Sequence, residues 1–207
     1  MIPRLFCAAL LACVATFPSV AQEQQPTDLD ERAMALFDAS YRDYCDTVGY
    51  AGELPAERME NFEFSYSPSS DAEAAEKSVL VYRFLCAYGS YYMEHVYFWW
   101  REPYGLQPLM FSVPSFDANF ENYDDVAGKL LSIDVTGFSA QASLINSEID
   151  VEAGTISNTA IWRGLGDAGS HGTWVLGDGE FRLTRFYVDP SYDKKENPVT
   201  IVEYPKP

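Results

Sequence analysis

Asp167, Ser170 and His171 fall within one five-residue stretch, inside a run where glycines recur at 164, 166, 169, 172 and 177. A carboxylate, a hydroxyl and an imidazole are the parts of a hydrolytic triad, which needs a nucleophile, an oriented base and an oxyanion hole. Adjacent Ser and His in a flexible loop seldom meet that geometry, and no Gly-x-Ser-x-Gly elbow occurs. The same run also offers oxygen ligands. Asp167, Asp178 in the next turn and backbone carbonyls would suit a calcium-like cation, but EF-hand spacing is missing. The plainer expectation is that Asp167 binds the loop's own amides while Arg163 pairs with a carboxylate.

A second set centres on Glu94, close in sequence to Trp99 and Trp100. A glycosidase needs two carboxylates at fixed separation across a cleft, and Glu94 is the one candidate. His95 reads as a core histidine. No catalytic residue, metal site or cofactor is assigned. Segment 82–111 is dense in Tyr, Phe and Trp, and such rings stack on sugars or partner proteins when exposed. Tyr88, Tyr92, Trp99 and Trp100 are the candidate ligand-binding surface. The plainer alternative is a core strand with a tyrosine rim.

These residues need elements to hold them. Ala33, Leu36, Phe37, Tyr41, Tyr44 and Cys45 recur at three- and four-residue steps, one apolar stripe of a helix. Thr27 is its expected cap, with Asp28, Asp30 and Glu31 at the positive end of the dipole, and Gly49 its stop. Residues 48–60 read as a linker. Asn61–Tyr66 alternates as a strand should, Ser67–Asp71 is turn chemistry, and residues 72–77 would fit one helical turn. Ser78–Cys86 and Tyr91–Arg101 read as strands, the second apolar on both faces and therefore covered on both sides. Leu106–Val113 reads as one more strand, and residues 114–130 as irregular or briefly helical. Gly154–Arg163, Gly172–Leu176 and Glu180–Val188 have hairpin spacing around a tight Gly177-Asp178-Gly179 turn. Thr200–Tyr204 would add an edge strand.

The first 21 residues read as a cleaved signal peptide. Arg4 precedes an apolar run from Leu5 to Thr16, and Ser19-Val20-Ala21 supplies small residues at a cleavage site. The run is too short to span a bilayer, and no later segment reaches about 18 uninterrupted apolar residues. Leu10-Leu11-Ala12-Cys13 resembles a lipobox, which leaves lipidation of Cys13 as the rival. After cleavage Cys45 and Cys86 remain, and in an oxidising compartment a disulfide is their simplest use. Two buried thiols are the alternative. Two Cys and two His without close spacing do not form a zinc ligand set.

The chain of 207 residues carries 31 acids against 14 Lys plus Arg, a formal charge of −17. That balance disfavours phosphate-neutralising surfaces and anionic membranes. Residues 22–150 carry 23 acids and 7 bases, whereas residues 151–207 carry 8 and 6. The acid excess therefore lies outside the glycine-rich third. Hydrophobic residues at 47% are enough to offset ordering entropy, so a folded domain is expected.

The motif Arg163-Gly164-Leu165-Gly166-Asp167, followed by Thr173-Trp174, Asp178-Gly179 and Phe181-Arg182-Leu183, resembles a bacterial exported-protein family, domain of unknown function 1176. Its pattern there is Arg-Gly-x-Gly-Asp-Cys-Gly, then a Trp, an Asp-Gly turn and a Phe-x-Leu strand. Asn146–Asp150 and Cys86–Tyr91 are similar to two further stretches of that family. The resemblance covers roughly residues 80–190 and is strongest at 158–183. Ala168 and Ser191 stand where the family has cysteines, which disfavours cysteine-based chemistry here. The resemblance implies an exported, periplasmic protein and transfers no catalytic residues.

The sequence thus predicts an α+β fold, mainly antiparallel β with an N-terminal helix. Residues 1–21 form the signal, 22–58 the helical segment and linker, and 59–207 the β-rich domain. The expected role is that of an exported, non-enzymatic binding or interaction protein. Its partner would be an unknown protein or envelope ligand, with no nucleic acid and no integral membrane segment. The alternative is an envelope hydrolase acting on glycan or peptide.

Overall fold

Strands in which both rows of side chains are apolar need a cover on each face, and two such strands lie at the centre of this molecule. The computed structural model describes residues 29–48, 58–69 and 75–207. The signal segment with Cys13 and Ala21, the Thr27 cap, Gly49 and most of the linker, and residues 70–74 lie outside the described residues.

The two strands are β2 (Lys77–Tyr88) and β3 (Met93–Arg101). Val79, Val81, Tyr97 and Trp99 point into one core, while Tyr82, Phe84, Cys86, Val96 and Phe98 point into another. Together with β1 (Met59–Tyr66), β4 (Gly105–Pro108) and β7 (Ser143–Ile145) they form an antiparallel sheet in the order β1-β2-β3-β4, β7 pairing the other half of β3. A second antiparallel sheet runs β12-β11-β10-β9-β8. It comprises β8 (Ser147–Asp150), β9 (Thr155–Ile161), β10 (Gly169–Gly177), β11 (Glu180–Asp189) and β12 (Val199–Glu203). Ile156, Trp174, Leu183, Phe186 and Val188 of this sheet meet the first core, so the two sheets form a sandwich.

The outer face of the first sheet is covered by helix α1 (Leu29–Ser40) and helix α2 (Arg42–Val48). Ala33, Phe37 and Cys45 close the second core, with the Phe37 ring stacked on Phe84 at 4.6 Å. The sulfur atoms of Cys45 and Cys86 lie at bonding distance, 2.06 Å. The fold is thus α+β and mainly antiparallel β, as the patterning predicts.

Several local expectations are corrected. The single helix is two, with a turn at Tyr41, and Tyr44 leaves the buried stripe to stand 51% exposed. Ala75 and Glu76 are not helical, and Lys77 opens β2 because it pairs with Tyr66 in the β1 ladder. Leu106–Val113 is split. Pro108, which has no N–H to give, ends β4, and β5 (Phe111–Phe120) begins after buried Leu109. Residues 114–130 are not irregular throughout, since β5 runs to Phe120 and pairs with β6 (Leu130–Gln141) in a separate hairpin. Pro114 is tolerated inside β5 because β6 is its one ladder partner, which makes it an edge position. The indole N–H of Trp174 donates to the Ser112 carbonyl at 2.9 Å and ties this hairpin to the sandwich.

Candidate functional site

The glycine loop connects β9 to β10, the central strand of the second sheet. Arg163 Nε donates to Asp167 Oδ1 at 2.7 Å, and Nη2 donates to Oδ2. Asp167 also accepts the Lys194 amide at 2.7 Å and is 4% exposed. The Arg163 guanidinium, above all, holds its carboxyl at about 2 despite burial, which works the other way. Gly166 takes the left-handed conformation, φ 75°. Asp167 is therefore a fastener: the expected pairing of Arg163 with a carboxylate is present, with Asp167 itself as the partner, while the amide bonded at 2.7 Å is that of Lys194, outside the loop.

Asp178 sits at the other end of β10. Its φ of 53° and that of Gly179, 76°, make the tight hairpin turn expected from the sequence. Its carboxylate accepts the Ser69 amide at 2.6 Å and the Ser69 hydroxyl at 2.8 Å. Nine residues of strand separate the two acids, about 30 Å at strand rise. They do not share a cation. Among the described residues no group of three or more His, Cys, Asp or Glu could hold a metal ion. Trp174 is fully buried core.

Ser170 and His171 lie within β10, not in the flexible loop. Neighbours on a strand point to opposite faces, so they do not act on one substrate atom. His171 Nδ1 lies 3.1 Å from Thr159 Oγ1 and Nε2 lies 3.3 Å from Thr173 Oγ1. Its ring stacks on Tyr187 at 4.7 Å, and burial lowers its pKa. No triad of Asp167, Ser170 and His171 is assembled.

Glu94 accepts the Ser143 hydroxyl at 2.6 Å, near the start of β3. Trp99 and Trp100 are at the opposite end of that strand, so the tryptophan pair does not flank Glu94. Trp99 is 5% exposed, with the Arg101 guanidinium 4.0 Å above its ring. Trp100 is half-buried, and Tyr88 and Tyr92 are half-buried at the far turn of the β2–β3 hairpin. These four aromatics do not make one surface. Trp99 is a core residue because its strand is covered on both faces.

Two features escaped the sequence. One is a buried polar network in which Ser147 Oγ lies 3.1 Å from His95 Nδ1 and accepts from Tyr97. Arg83, ion-paired with Glu60, donates to the Ser147 carbonyl at 3.1 Å. Its members come from four strands, a convergence that no local spacing announces. The other is a pair of clefts flanking β9 and β10. The outer cleft, about 320 Å³, is lined by Asp167, His171, Tyr187, Asp189 and Glu196 among others. The inner one, about 390 Å³, opens at the mouth of the sandwich between Val113, Ile145, Asn158, Trp162, Ser170 and Phe186.

Comparison with protein-family models, with curated proteins and with solved structures gave no match to this chain.

Proposed function

We propose that this chain is an exported, periplasmic protein that works by binding a ligand or partner, not by catalysis. One observation carries the reading. The side chains that could do chemistry are each held by structural partners: Asp167 by Arg163, His171 by Thr159, Glu94 by Ser143 and His95 by Ser147. Beside them, two clefts stand open around β9 and β10. Concave, mostly preformed surfaces of this kind are where ligands bind. The resemblance of residues 158–183 to domain of unknown function 1176 and the signal-like segment 1–21 support export. Envelope hydrolysis is the competing outcome of the test.

The test uses the mature protein and envelope material separated into neutral glycan, charged glycan and peptide pools. A pool that contains the ligand raises the melting temperature by mass action and is recovered unchanged. Release of new reducing ends or amines would replace the binding reading with hydrolysis. No stabilisation by any pool would remove the reading.

A further inference from the structure

The row of side chains that faces the core along β9 and β10 changes character at one point. Ile156 and Trp174, paired across the ladder, are fully buried. The next pair on that face is Asn158 with Gly172, and the next Ala160 with Ser170. Large apolar groups give way to small and polar ones, and the sandwich is left unfilled there. The inner cavity is the result.

We propose that this cavity binds an uncharged, hydroxylated ring, the sugar unit of a neutral glycan. The inference rests on the reading of the chain as a binding protein and assigns the site and the ligand class within it.

Charge is the first argument. No Asp, Glu, Lys, Arg or His lines the cavity, in a chain whose formal charge is −17. A phosphate, carboxylate or ammonium ligand would leave water with no opposite charge to meet it, which is costly. Hydrogen-bonding capacity is the second argument. Asn158 is 8% exposed, and its Oδ1 is used by the Gly172 amide at 3.0 Å. Its Nδ2 donates to none of the described residues. The Ser143 hydroxyl donates its hydrogen bond to Glu94 at 2.6 Å, so its oxygen is left as an acceptor. Ser170 and Gln141 add a hydroxyl and an amide. A purely apolar ligand would strip water from these groups and return no hydrogen bonds. A polyol returns them.

The third argument is the wall. Trp162 remains 40% exposed, with Phe116 stacked on one side of its indole at 6.4 Å and 12° between planes. A ring braced in this way offers a flat apolar surface to the C–H face of a sugar. The volume, about 390 Å³, lies at the small end of the range for ligand pockets, about 300–1,000 Å³. It fits a short saccharide or the end of a glycan chain.

The experiment titrates the mature protein with glucose, maltose, cellobiose and N,N′-diacetylchitobiose, reading tryptophan emission and calorimetric heat. At least one disaccharide should give a saturable response. Trp162→Ala should weaken it by about tenfold, and Trp162→Phe by less. Asn158→Asp keeps the acceptor for the Gly172 amide but loses the donor and adds a charge, and should abolish binding. Tyr187→Ala, in the outer cleft, should leave the affinity unchanged. Far-ultraviolet dichroism of each variant separates loss of binding from loss of fold. A free sugar as ligand gives equal affinity for mono- and disaccharide; a glycan end gives affinity that grows with length. Silence of all four probes, or undiminished affinity in folded Trp162→Ala, overturns the assignment. If the sugars are silent while an envelope peptide binds, the binding reading survives without it. If a sugar binds and is then cleaved, the site survives and the non-enzymatic reading falls.

Discussion

Cys45 on α2 lies opposite Cys86 on β2, with Cα atoms 4.6 Å apart and 41 residues of separation. This link anchors the two helices to the outer face of the first sheet. Beside it the helices hold one apolar patch, in which Leu29, Met34, Leu36 and Tyr41 pack half-buried around the buried residues. Their buried residues are Ala33, Phe37 and Cys45 alone.

Removal of the link should therefore loosen the helices before the sandwich. By the chain-entropy model a loop of this length contributes about 4 kcal/mol. Cys45→Ala with Cys86→Ala should lower denaturant stability by up to that amount. Hydrogen exchange should rise first in residues 29–48. Thiol labelling of the unreduced mature protein, which lacks Cys7 and Cys13, should find no reactive cysteine; labelling of both Cys45 and Cys86 would remove the prediction.

Asp167 offers a test by pH. Its folded pKa, about 2, lies below the usual carboxylate value, chiefly through Arg163. A depressed carboxylate stabilises the fold above its unfolded pKa, about 4, and loses that contribution as pH falls toward the folded value. Asp167→Asn should melt below the wild type at pH 5 and above. The difference should narrow between about pH 4 and pH 2. A gap that is constant over that window would show that the ion pair is not its cause.

Much of this architecture was legible in the sequence. The alternation of Phe62, Phe64 and Tyr66, the two-faced apolar run of β3 and the Asp178-Gly179 turn are local signals, and the structure follows them. The β5–β6 hairpin was not legible. Pro114 and the polar run from Asp117 to Asn119 argue against a strand locally, and the ladder to β6 overrides them. Trp99 and Glu94 looked like neighbours because sequence distance hides which end of a strand a side chain occupies. The sandwich mouth was illegible for a different reason. Its walls come from β5, β6, β7, β9, β10 and β11, and the signal, a change from Trp174 to Gly172 and Ser170, has meaning once the two sheets face each other.

Gly172 gives that change a measurable consequence. A Cβ there would lie 2.5 Å from Trp174 Cη2 and 2.9 Å from Asn158 Oδ1. Trp174 is fully buried and cannot yield cheaply. Gly172→Ala should cost about 1–3 kcal/mol in denaturant melts, as overpacked cores do. Gly137→Ala on β6 is the control, because nothing lies within 4 Å of its Cβ position. It should change stability by less than about 0.5 kcal/mol. Equal effects at the two sites would contradict the packing account.

His95 supplies the last prediction. It is 6% exposed and faces Ser147 from β8, Tyr97 on its own strand, and Arg83 of β2 with Glu60 of β1 behind it. Burial lowers its pKa to about 4, Arg83 adds to that, and Glu60 opposes it. Tyr97 donates to Ser147 Oγ, which leaves the serine proton for His95 Nδ1 and fits a neutral ring. The unfolded imidazole titrates near 6.5. Between about pH 6.5 and pH 4 the unfolded chain binds a proton that the folded chain refuses, so stability falls as pH falls through that window and levels off below it. The total is roughly 3 kcal/mol. His95→Gln should flatten this slope in pH-resolved melts, whereas His171→Gln should leave most of it. Imidazole titration by NMR should place His95 well below 6.5; a value at or above 6.5 would mean that the network holds the charged ring, and the slope would then have to arise elsewhere.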